Sequence, residues 1–314
     1  MGYRMVRMDL QSNRKISPLA INSHGIVVGS FDVDGNNYHA FVYSSGNDRM
    51  QDLGASTGLR STAKAINNAG KTIIDAEIQD EEFNSFLFEL ATGSITRLET
   101  ARIGRRVDLR GINERDQIVG TSLDFELPAH SFILDLNSLE VQRIYGPMQR
   151  PCFAFAINNS GAIVGYTQTD SGMRAFLFEQ NYGLKLLQLP AEESVAFSIN
   201  EGGLVVGHVR DGNRCQGFLY NKSNEEFQFL GTLGGMNSFA RAINSKGQIV
   251  GCSQSPIDGR MHAFVFSENA MLDLNDVLLP AEFTLLMDAV AINDKGAIVC
   301  ATTDQKACLL LPTD

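Results

Sequence analysis

The sequence predicts an all-β protein, a seven-bladed β-propeller with four-stranded antiparallel blades. Three observations lead to this prediction. A segment of the type Ala-Ile-Asn recurs seven times at intervals of 42 to 49 residues, each copy contains short strand-like apolar runs, and 29 of the 314 residues are glycine. Repeats of about 40 to 50 residues that hold several strands are typical of propeller blades, and frequent glycine suits their many turns.

Each copy of the repeat is predicted to form strands a to d. Strand a ends in an Ile-Asn pair, strand b has the type Ile118-Val119-Gly120, strand c carries an aromatic residue as in Ala40-Phe41-Val42, and strand d ends in leucine as in Asp52-Leu53. The asparagines that end strand a are Asn22, Asn67, Asn113, Asn158, Asn200, Asn244 and Asn293.

The seven copies predict a single domain that spans residues 1–314. The predicted blades cover residues 16–53, 61–98, 106–144, 151–189, 194–230, 237–274 and 287–311. The last copy contains only three runs, and residues 3–10 end in Asp9-Leu10, which matches Asp52-Leu53. We therefore expect residues 3–10 to complete the last blade, because a closed ring leaves no free sheet edge.

The turns of the repeat account for its shared polar residues. The pattern Asn-x-x-Gly, from Asn22/Gly25 to Asn293/Gly296, predicts a short turn in which glycine has a positive φ and asparagine binds its own turn backbone. Asp-Gly and Ser-Gly pairs such as Asp34-Gly35 and Ser171-Gly172 predict the tips between strands b and c. The repeated asparagines are therefore expected to be structural.

These residues resemble the HAF-repeat family, which is named for a His-Ala-Phe segment. The segment stands at His39-Ala40-Phe41 and His262-Ala263-Phe264, with His130-Ser131-Phe132 a near match. The resemblance covers essentially the whole chain. It implies a bacterial β-propeller of a kind usually described as extracellular and without an assigned activity, whose shared motif residues are structural.

Composition excludes several classes of protein. A net charge of −10 argues against a general nucleic-acid or anionic-membrane surface, and no apolar stretch is long enough to span a membrane. The five cysteines are an odd number and suit a reducing compartment. We expect a cytoplasmic protein, or one exported without a cleavable signal peptide; an extracellular location stays open if a leader has been removed.

The sequence predicts neither a metal nor a cofactor. His39, His130 and His262 occupy one slot of strand c in different blades, so they are expected to be too far apart to bind one ion. The segment from Asp32 to Asn36 is read as a turn. Cys300 and Cys308 replace the usual Gly and Phe of neighbouring strands, which leaves open either a disulfide or two small buried thiols.

Positions that vary between copies are the candidates for function. The position three residues before the motif asparagine is expected to face the channel or its mouth, and a basic arc with an acidic rim is expected on the face of the d-to-a and b-to-c loops. The rim candidates include Asp75, Glu77, Asp80, Glu81, Glu82, Asp124 and Glu126. The candidate binding residues are Arg60, Lys64, Arg105, Arg106, Arg110, Phe155, Phe197 and Arg241.

The leading hypothesis is a non-catalytic scaffold that binds a protein partner on this face, with the segment from Leu274 to Met287 as a candidate partner loop or a lid over the last blade. An alternative is an anionic small molecule or a glycan at the channel mouth. The third is a hydrolase or lyase, which requires either two carboxylates at the mouth or a His–carboxylate pair at working distance; the carboxylates near the mouth are those of Glu192, Glu193 and Asp288. Common enzyme motifs are absent, and no catalytic residue is predicted.

Overall fold

The computed structural model describes residues 2–8, 14–57, 60–77, 83–124, 127–278 and 284–313. Most of these residues are in β-strands. The helical elements among them are one turn of α-helix, α1 (Gly54–Thr57), and the short 3-10 helices η1 (Thr100–Arg102) and η2 (Pro147–Gln149). No helix in this part of the chain is long and apolar enough to cross a membrane.

The strands are short and follow one another through tight turns. They are β1 (Gly2–Arg7), β2 (Ile16–Ile21), β3 (Ile26–Asp32), β4 (Tyr38–Ser44), β5 (Arg49–Asp52), β6 (Arg60–Ile66), β7 (Lys71–Glu77), β8 (Phe83–Glu89), β9 (Ser94–Arg97), β10 (Val107–Ile112), β11 (Gln117–Ser122), β12 (His130–Asp135), β13 (Val141–Ile144), β14 (Cys152–Ile157), β15 (Ile163–Thr169), β16 (Gly172–Glu179), β17 (Gly183–Leu186), β18 (Glu193–Ile199), β19 (Leu204–Asp211), β20 (Arg214–Asn221), β21 (Phe227–Gly231), β22 (Ser238–Ile243), β23 (Ile249–Gln254), β24 (Met261–Ser267), β25 (Ala270–Asp273), β26 (Leu286–Ile292), β27 (Ile298–Thr302) and β28 (Ala307–Thr313).

The described strands form six sheets. Four of them are four-stranded and follow chain order, namely β10 to β13, β14 to β17, β18 to β21 and β22 to β25. A fifth has the order β1-β28-β27-β26, so the strand nearest the N-terminus lies in the same sheet as the last three strands. The sixth contains β2 to β9, and its two halves meet at one parallel bridge between Tyr38 and Arg60. Asp9 and Leu10 lie outside the described residues.

The first strand of each copy lies at the centre of the molecule. β2, β6, β10, β14, β18, β22 and β26 contact one another in sequence, and β26 contacts β2 again, so these strands form an unbroken circle. The core lies between neighbouring sheets, where one face of each meets the next. Phe41, Phe132 and Phe176 are fully buried there, at the same position of their third strands. Apolar residues that alternate along half-buried strands account for this packing.

The motif asparagines connect one copy to the next. Asn22 Oδ1 accepts hydrogen bonds from the main-chain N–H groups of His24 and Ile26, as a turn residue should. Its side-chain amide also donates to the carbonyl oxygen of Asn67 at 3.1 Å. The same donation repeats from each motif asparagine to the next, at Asn67, Asn113, Asn158, Asn200, Asn244 and Asn293, and the last of these returns to Asn22.

The turn that follows β10, the first strand of the third copy, departs from the predicted pattern. Gly25 and Gly161 adopt positive φ values of 77° and 83°, as expected. In the third copy the equivalent residue is Asp116, which adopts a φ of 62°. Aspartate tolerates this left-handed conformation better than most residues with a side chain, so the turn keeps its shape without glycine.

Candidate functional site

A β-bulge aims the variable position of every first strand. The pairing register between the first and second strand shifts at this residue in all seven copies, so two residues oppose one. A bulge of this kind bends the strand and redirects a side chain. The seven bulged residues are Leu19, Lys64, Arg110, Phe155, Phe197, Arg241 and Val290. The positions singled out by variation are therefore one structural feature.

Four bulged residues touch in series around the circle of first strands. The Arg110 guanidinium lies 5.3 Å from the ring centroid of Phe155, whose ring stacks on Phe197 at 5.3 Å. The Arg241 guanidinium lies 5.7 Å from the Phe197 centroid. Cation–π contacts and ring stacking thus join β10, β14, β18 and β22 side by side. We call Phe155, Phe197 and the rings that touch them the aromatic belt.

The belt continues outward through residues that the sequence analysis did not select. Tyr166 lies 5.8 Å from Phe155, and His208 stacks on Phe197 at 5.4 Å. Burial, with the nearby positive charge of Arg241, lowers the pKa of His208 to about 4. His208 is therefore neutral at physiological pH. Both residues directly follow the glycine of the Ile-Val-Gly segment. Variation between copies at that position could have identified them from the sequence.

Four of the candidate cations converge on one cleft. It has a volume of about 270 Å³ and lies between β6, β7 and β10. Its cationic lining residues are Arg60, Lys64, Arg106 and Arg110, and its acidic lining residues are Asp75, Glu77 and Asp108. We call this the basic cleft. Lys64 and Arg110 lie at bulges and line the cleft from there. Arg106, the residue immediately before β10, also lines it.

Ion pairs hold most of these cations in place. Lys64 Nζ lies 3.0 Å from Asp108 Oδ1 and 3.8 Å from Asp75 Oδ2. Arg110 binds the other oxygen of Asp108 at 2.5 Å. Arg60 lies 3.4 Å from a carboxylate oxygen of Glu77.

Arg106 differs from the other three cations of the cleft. Its guanidinium lies 4.5 Å from the ring centroid of Phe83. Among the described residues its side chain has no ion pair, and it is exposed. A stacked guanidinium keeps its in-plane N–H donors available. Arg106 is therefore the cation of the basic cleft best placed to bind an incoming acidic group.

Asp75 forms the floor of the basic cleft, and this corrects its assignment to the acidic rim. It belongs to β7, where its carboxylate accepts hydrogen bonds of 2.9 Å from the main-chain N–H of Leu109 and from the Ser85 hydroxyl. Burial raises its pKa to about 7, and the charge of Asp108 adds to the rise, while Lys64 and the two donors oppose it. Glu77 lies at the end of the same strand. Asp80, Glu81, Glu82 and Glu126 lie outside the described residues.

Solved structures with the same architecture include several propellers. The β-propeller domain of the Trilobed protease from Pyrococcus furiosus superposes with a TM-score of 0.65 at 11% identity, over 96% of each chain. Virginiamycin B lyase from Staphylococcus aureus, solved with quinupristin, gives 0.63 at 10% identity over 99% of this chain and all of that one. Oligogalacturonate lyase from Vibrio parahaemolyticus gives 0.62 at 12% identity, over 99% and 94%.

The chain folds as a β-propeller. At identities this low the likeness concerns the fold alone. A scan against models of protein families gives no match, and a search among curated proteins by sequence gives none either. The chemistry of the site therefore depends on the residues of this propeller.

The remaining candidates lie around the propeller channel or apart from it. Arg241 pairs with Asp288 at 3.1 Å on the far side of the aromatic belt. Arg105 is exposed and does not line the basic cleft; its main-chain N–H binds Asp124. Glu193 pairs with Arg210 at 3.4 Å. The structure thus divides the eight candidates into the basic cleft, the belt with Arg241, and Arg105 outside both.

The histidines of the repeat stay within their own sheets. His39 Nδ1 lies 3.0 Å from Asp52, and His262 Nδ1 lies 2.6 Å from Asp273, so each histidine binds the aspartate that precedes the leucine of strand d. Asp32 Oδ1 accepts the N–H of Gly35, as a turn residue. No group of three or more metal-ligating side chains occurs among the residues described above.

A second, larger cleft of about 580 Å³ lies between β2 to β4 and β26 to β27 on the same face. Tyr38 lines both clefts, and Asp288 lines the larger one. Two residues of the candidate partner loop contact the first strand. The carbonyl oxygen of Val277 accepts a hydrogen bond from the main-chain N–H of Tyr3, and Leu278 forms an isolated β-bridge with Tyr3. This part of the loop packs on the last sheet, while residues 279–283 lie outside the described ranges.

Proposed function

We propose that this propeller is a non-catalytic binding protein that takes an acidic group of its partner into the basic cleft. The observation that carries the proposal is the convergence of Arg60, Lys64, Arg106 and Arg110 on one cleft of about 270 Å³. A guanidinium binds a carboxylate through two parallel hydrogen bonds, and Arg106 is available for this. Partial neutralisation of Asp75 leaves the lining with a net positive charge at pH 7.

A protein is the partner we propose for this face. Four large apolar side chains are exposed on the loops that surround the channel on the same side as the basic cleft, and arginine beside apolar contact area is typical of protein interfaces. They are Leu127, Met148, Met236 and Ile257. An anionic small molecule or glycan would use the basic cleft without these residues. Partner binding that survives Met236→Ser and Ile257→Ser unchanged would favour the small ligand.

The proposal is tested with a capped glutamate. Binding of N-acetylglutamate amide and of N-acetylglutamine amide is measured by ligand-detected NMR, with the wild-type protein, Arg106→Ala and Arg105→Ala. We expect the glutamate to bind weakly, the glutamine to bind at least tenfold more weakly, and Arg106→Ala to lose about tenfold in affinity for glutamate. Arg105→Ala is the matched control, because it removes the neighbouring charge outside the cleft.

Two outcomes would contradict the proposal. Equal binding of glutamate and glutamine would show that the cleft does not select an acidic group. Equal losses in Arg105→Ala and Arg106→Ala would show only a general attraction of the basic surface, which falls with added salt.

Acid–base catalysis is the second candidate function, and one observation favours it. Asp75 and Asp108 both approach Lys64 Nζ, so their nearest carboxylate oxygens lie at most about 7 Å apart, below the upper limit of about 9.5 Å found in glycoside hydrolases. Only a small part of either side chain is exposed, 15% for Asp75 and 21% for Asp108, and burial raises the pKa of Asp75 to about 7. Such a pair can divide the roles of acid and base. Turnover of any member of a p-nitrophenyl glycoside panel, lost in both Asp75→Asn and Asp108→Asn, would establish this function.

We further propose that the propeller has seven blades. In support, the sheet of β2 to β9 divides at its one parallel bridge into β2 to β5 and β6 to β9, which with the other five sheets gives seven four-stranded units. The circle of seven asparagine hydrogen bonds agrees with that number. Membership of the HAF-repeat family also remains a proposal, as does a cytoplasmic location or export without a cleavable signal peptide; the odd number of cysteines is the observation that supports a reducing compartment.

A further inference from the structure

One pair of residues breaks the repeat in a coordinated way. In the six other copies, the residue seven positions after the motif asparagine pairs across the sheet with a phenylalanine. These pairs are Gly29 with Phe41, Ile74 with Phe86, Gly120 with Phe132, Gly165 with Phe176, Gly207 with Phe218 and Gly251 with Phe264. In the last sheet the same pair is Cys300 with Cys308.

The two exchanges compensate for each other in volume. A Cβ built on Gly120 would lie 2.5 Å from the carbonyl oxygen of Asp108 and 2.9 Å from the ring tip of Phe132, so the main chain of the first strand and the ring both crowd this position. A smaller residue opposite the cysteine relieves the part of this crowding that comes from the ring. Small apolar residues would satisfy this requirement equally well, yet the sheet has two thiols that face each other.

The geometry of the pair suits a bond between the sulfurs. Cys300 and Cys308 are directly opposite on antiparallel strands, where Cα atoms lie about 4.5–5.5 Å apart, within the range of about 4.4–6.8 Å found in disulfides. The Cys308 thiol is close enough to contribute to the raised pKa of Cys300. The strand partners of Cys152, Cys215 and Cys252 in the described sheets are not cysteines.

We propose that Cys300 and Cys308 are a redox-active pair that forms a reversible disulfide between β27 and β28, with a low-molecular-weight disulfide such as oxidised glutathione as oxidant. The S–S bond of the oxidant breaks, its two sulfurs take up the protons of the two thiols, and the bond between Sγ of Cys300 and Sγ of Cys308 forms. In reducing surroundings the reverse exchange keeps both thiols free.

The position of the pair gives the disulfide a structural consequence. β28 lies between β27 and β1, so it carries the strand nearest the N-terminus. Cys300, Cys308 and Tyr3 of β1 belong to one buried cluster that also packs against the sheet of β22 to β25. The disulfide would hold β28 in register on β27 and so stabilise the surface on which β1 is paired.

Burial sets the conditions of the exchange. Both side chains are almost completely buried, and burial together with the neighbouring Cys308 thiol raises the pKa of the Cys300 thiol well above its usual value. The thiolate is the attacking species, so exchange is slow in the folded protein. We expect the disulfide to form as the sheet assembles, and to form in the native protein only when β27 and β28 open.

The test is refolding of the reduced full chain in glutathione buffers, from fully reduced to fully oxidised. Free thiols are then blocked with N-ethylmaleimide in denaturant and the protein is cut with trypsin, which cleaves after Lys295 and Lys306. We expect peptides 296–306 and 307–314 to be joined by a disulfide under oxidising conditions, while Cys152, Cys215 and Cys252 are alkylated. Complete alkylation of Cys300 and Cys308 in the most oxidising buffer would overturn the proposal, and so would disulfides to other cysteines in their place.

Thermal unfolding supplies a second measurement. We expect the melting temperature of the wild type to rise by about 4 °C between the reduced and oxidised buffers. The variant Cys300→Gly/Cys308→Phe restores the pair of the other sheets, and its melting temperature should not respond. Equal responses of the two proteins would contradict the proposal, and the peptide analysis of the wild type decides the matter if the variant does not fold.

Discussion

The side-chain amide of Asn293 donates a hydrogen bond of 3.0 Å to the carbonyl oxygen of Asn22, 271 residues earlier in the chain. This bond completes a circle in which each motif asparagine binds the next. All seven asparagines are buried, and each amide gives a second hydrogen bond to a carbonyl oxygen that also accepts an N–H from its own turn. The most repeated polar residue of the chain is therefore both the turn former of its own copy and the link to the following one.

Removal of one asparagine from this circle should destabilise the whole propeller. Asn158→Ala loses the turn bonds to Ser160 and Ala162 and removes one of the two hydrogen bonds of the Asn200 carbonyl oxygen, which keeps the N–H of Gly203. We expect a loss of about 2–3 kcal/mol in the free energy of unfolding, measured with urea. Asn224→Ala, at an exposed turn, is the control and should change it by less than about 0.5 kcal/mol. Similar losses in both variants would disprove the role of the circle.

The glycine of the second strand should resist substitution where the bulge brings the first strand close. A Cβ on Gly165 would lie 1.9 Å from the carbonyl oxygen of Phe153. We expect Gly165→Ala to cost about 2–3 kcal/mol in denaturant unfolding, because main-chain atoms must move. Gly46→Ala meets nothing closer than the Ser44 hydroxyl at 3.9 Å and should be nearly neutral. Ile74 occupies the equivalent slot of β7, so a tolerated Gly165→Ala would mean that β14 can shift in the same way.

Ionisation of the Asp75 carboxyl group should lower the free energy of unfolding as the pH rises. Its pKa is about 7 in the fold and 3.8 in the reference state, so the folded protein binds the proton more tightly. Its contribution is fully present below pH 4 and is lost as the pH rises through 7, a change of the order of 4 kcal/mol. Urea unfolding of Asp75→Asn should therefore show a weaker decline than the wild type between pH 4 and 8. Glu77→Gln, at the end of the same strand, is the control, and parallel pH profiles of wild type and Asp75→Asn would contradict the assignment.

The stability contributed by His262 should depend on pH in the opposite direction to that contributed by His130. Burial lowers the pKa of His262, but its bonds to Asp273 and Asp258 outweigh this and raise it overall. The stability from protonated His262 is present below pH 6.5 and is lost as the pH rises through its folded pKa. We expect His262→Ala to cost more at pH 5.5 than at pH 8.5. Burial lowers the pKa of His130, so His130→Ala should cost less at pH 5.5; identical trends would refute the pairing.

The repeat of the sequence was enough to predict the strands and their order. Ala40-Phe41-Val42 lies in β4 as strand c, and the Asp32 to Asn36 segment is a turn. These predictions succeed because strand alternation and turn residues act over a few neighbouring positions. The sequence also predicted that residues 3–10 complete the last sheet, since the last copy contained only three runs, and of the described part of this segment residues 3–7 pair with β28.

The composition of the candidate site could be predicted only in part. Variation between copies selected Lys64 and Arg110 as candidates. It did not predict that both lie at bulges beside Asp108. Arg105 and Arg106 are adjacent and chemically identical, yet one lines the basic cleft and the other does not. The difference depends on Phe83, which comes from the preceding sheet.

By itself, the sequence determined the repeat, the strand order, the turns and the set of variable positions, because those depend on local pattern. Only the tertiary structure decided that Asp75 lies half-buried beside Lys64, that the arginines bracket an aromatic belt, and that the motif asparagines join successive copies. Asp75 and Lys64 are on adjacent strands of one sheet, whereas the other contacts join neighbouring sheets, some 45 positions apart in the chain. The twist of the sheets and the bulge of each first strand determine which side chains of neighbouring sheets meet. The sequence pattern of a single copy predicts neither of them.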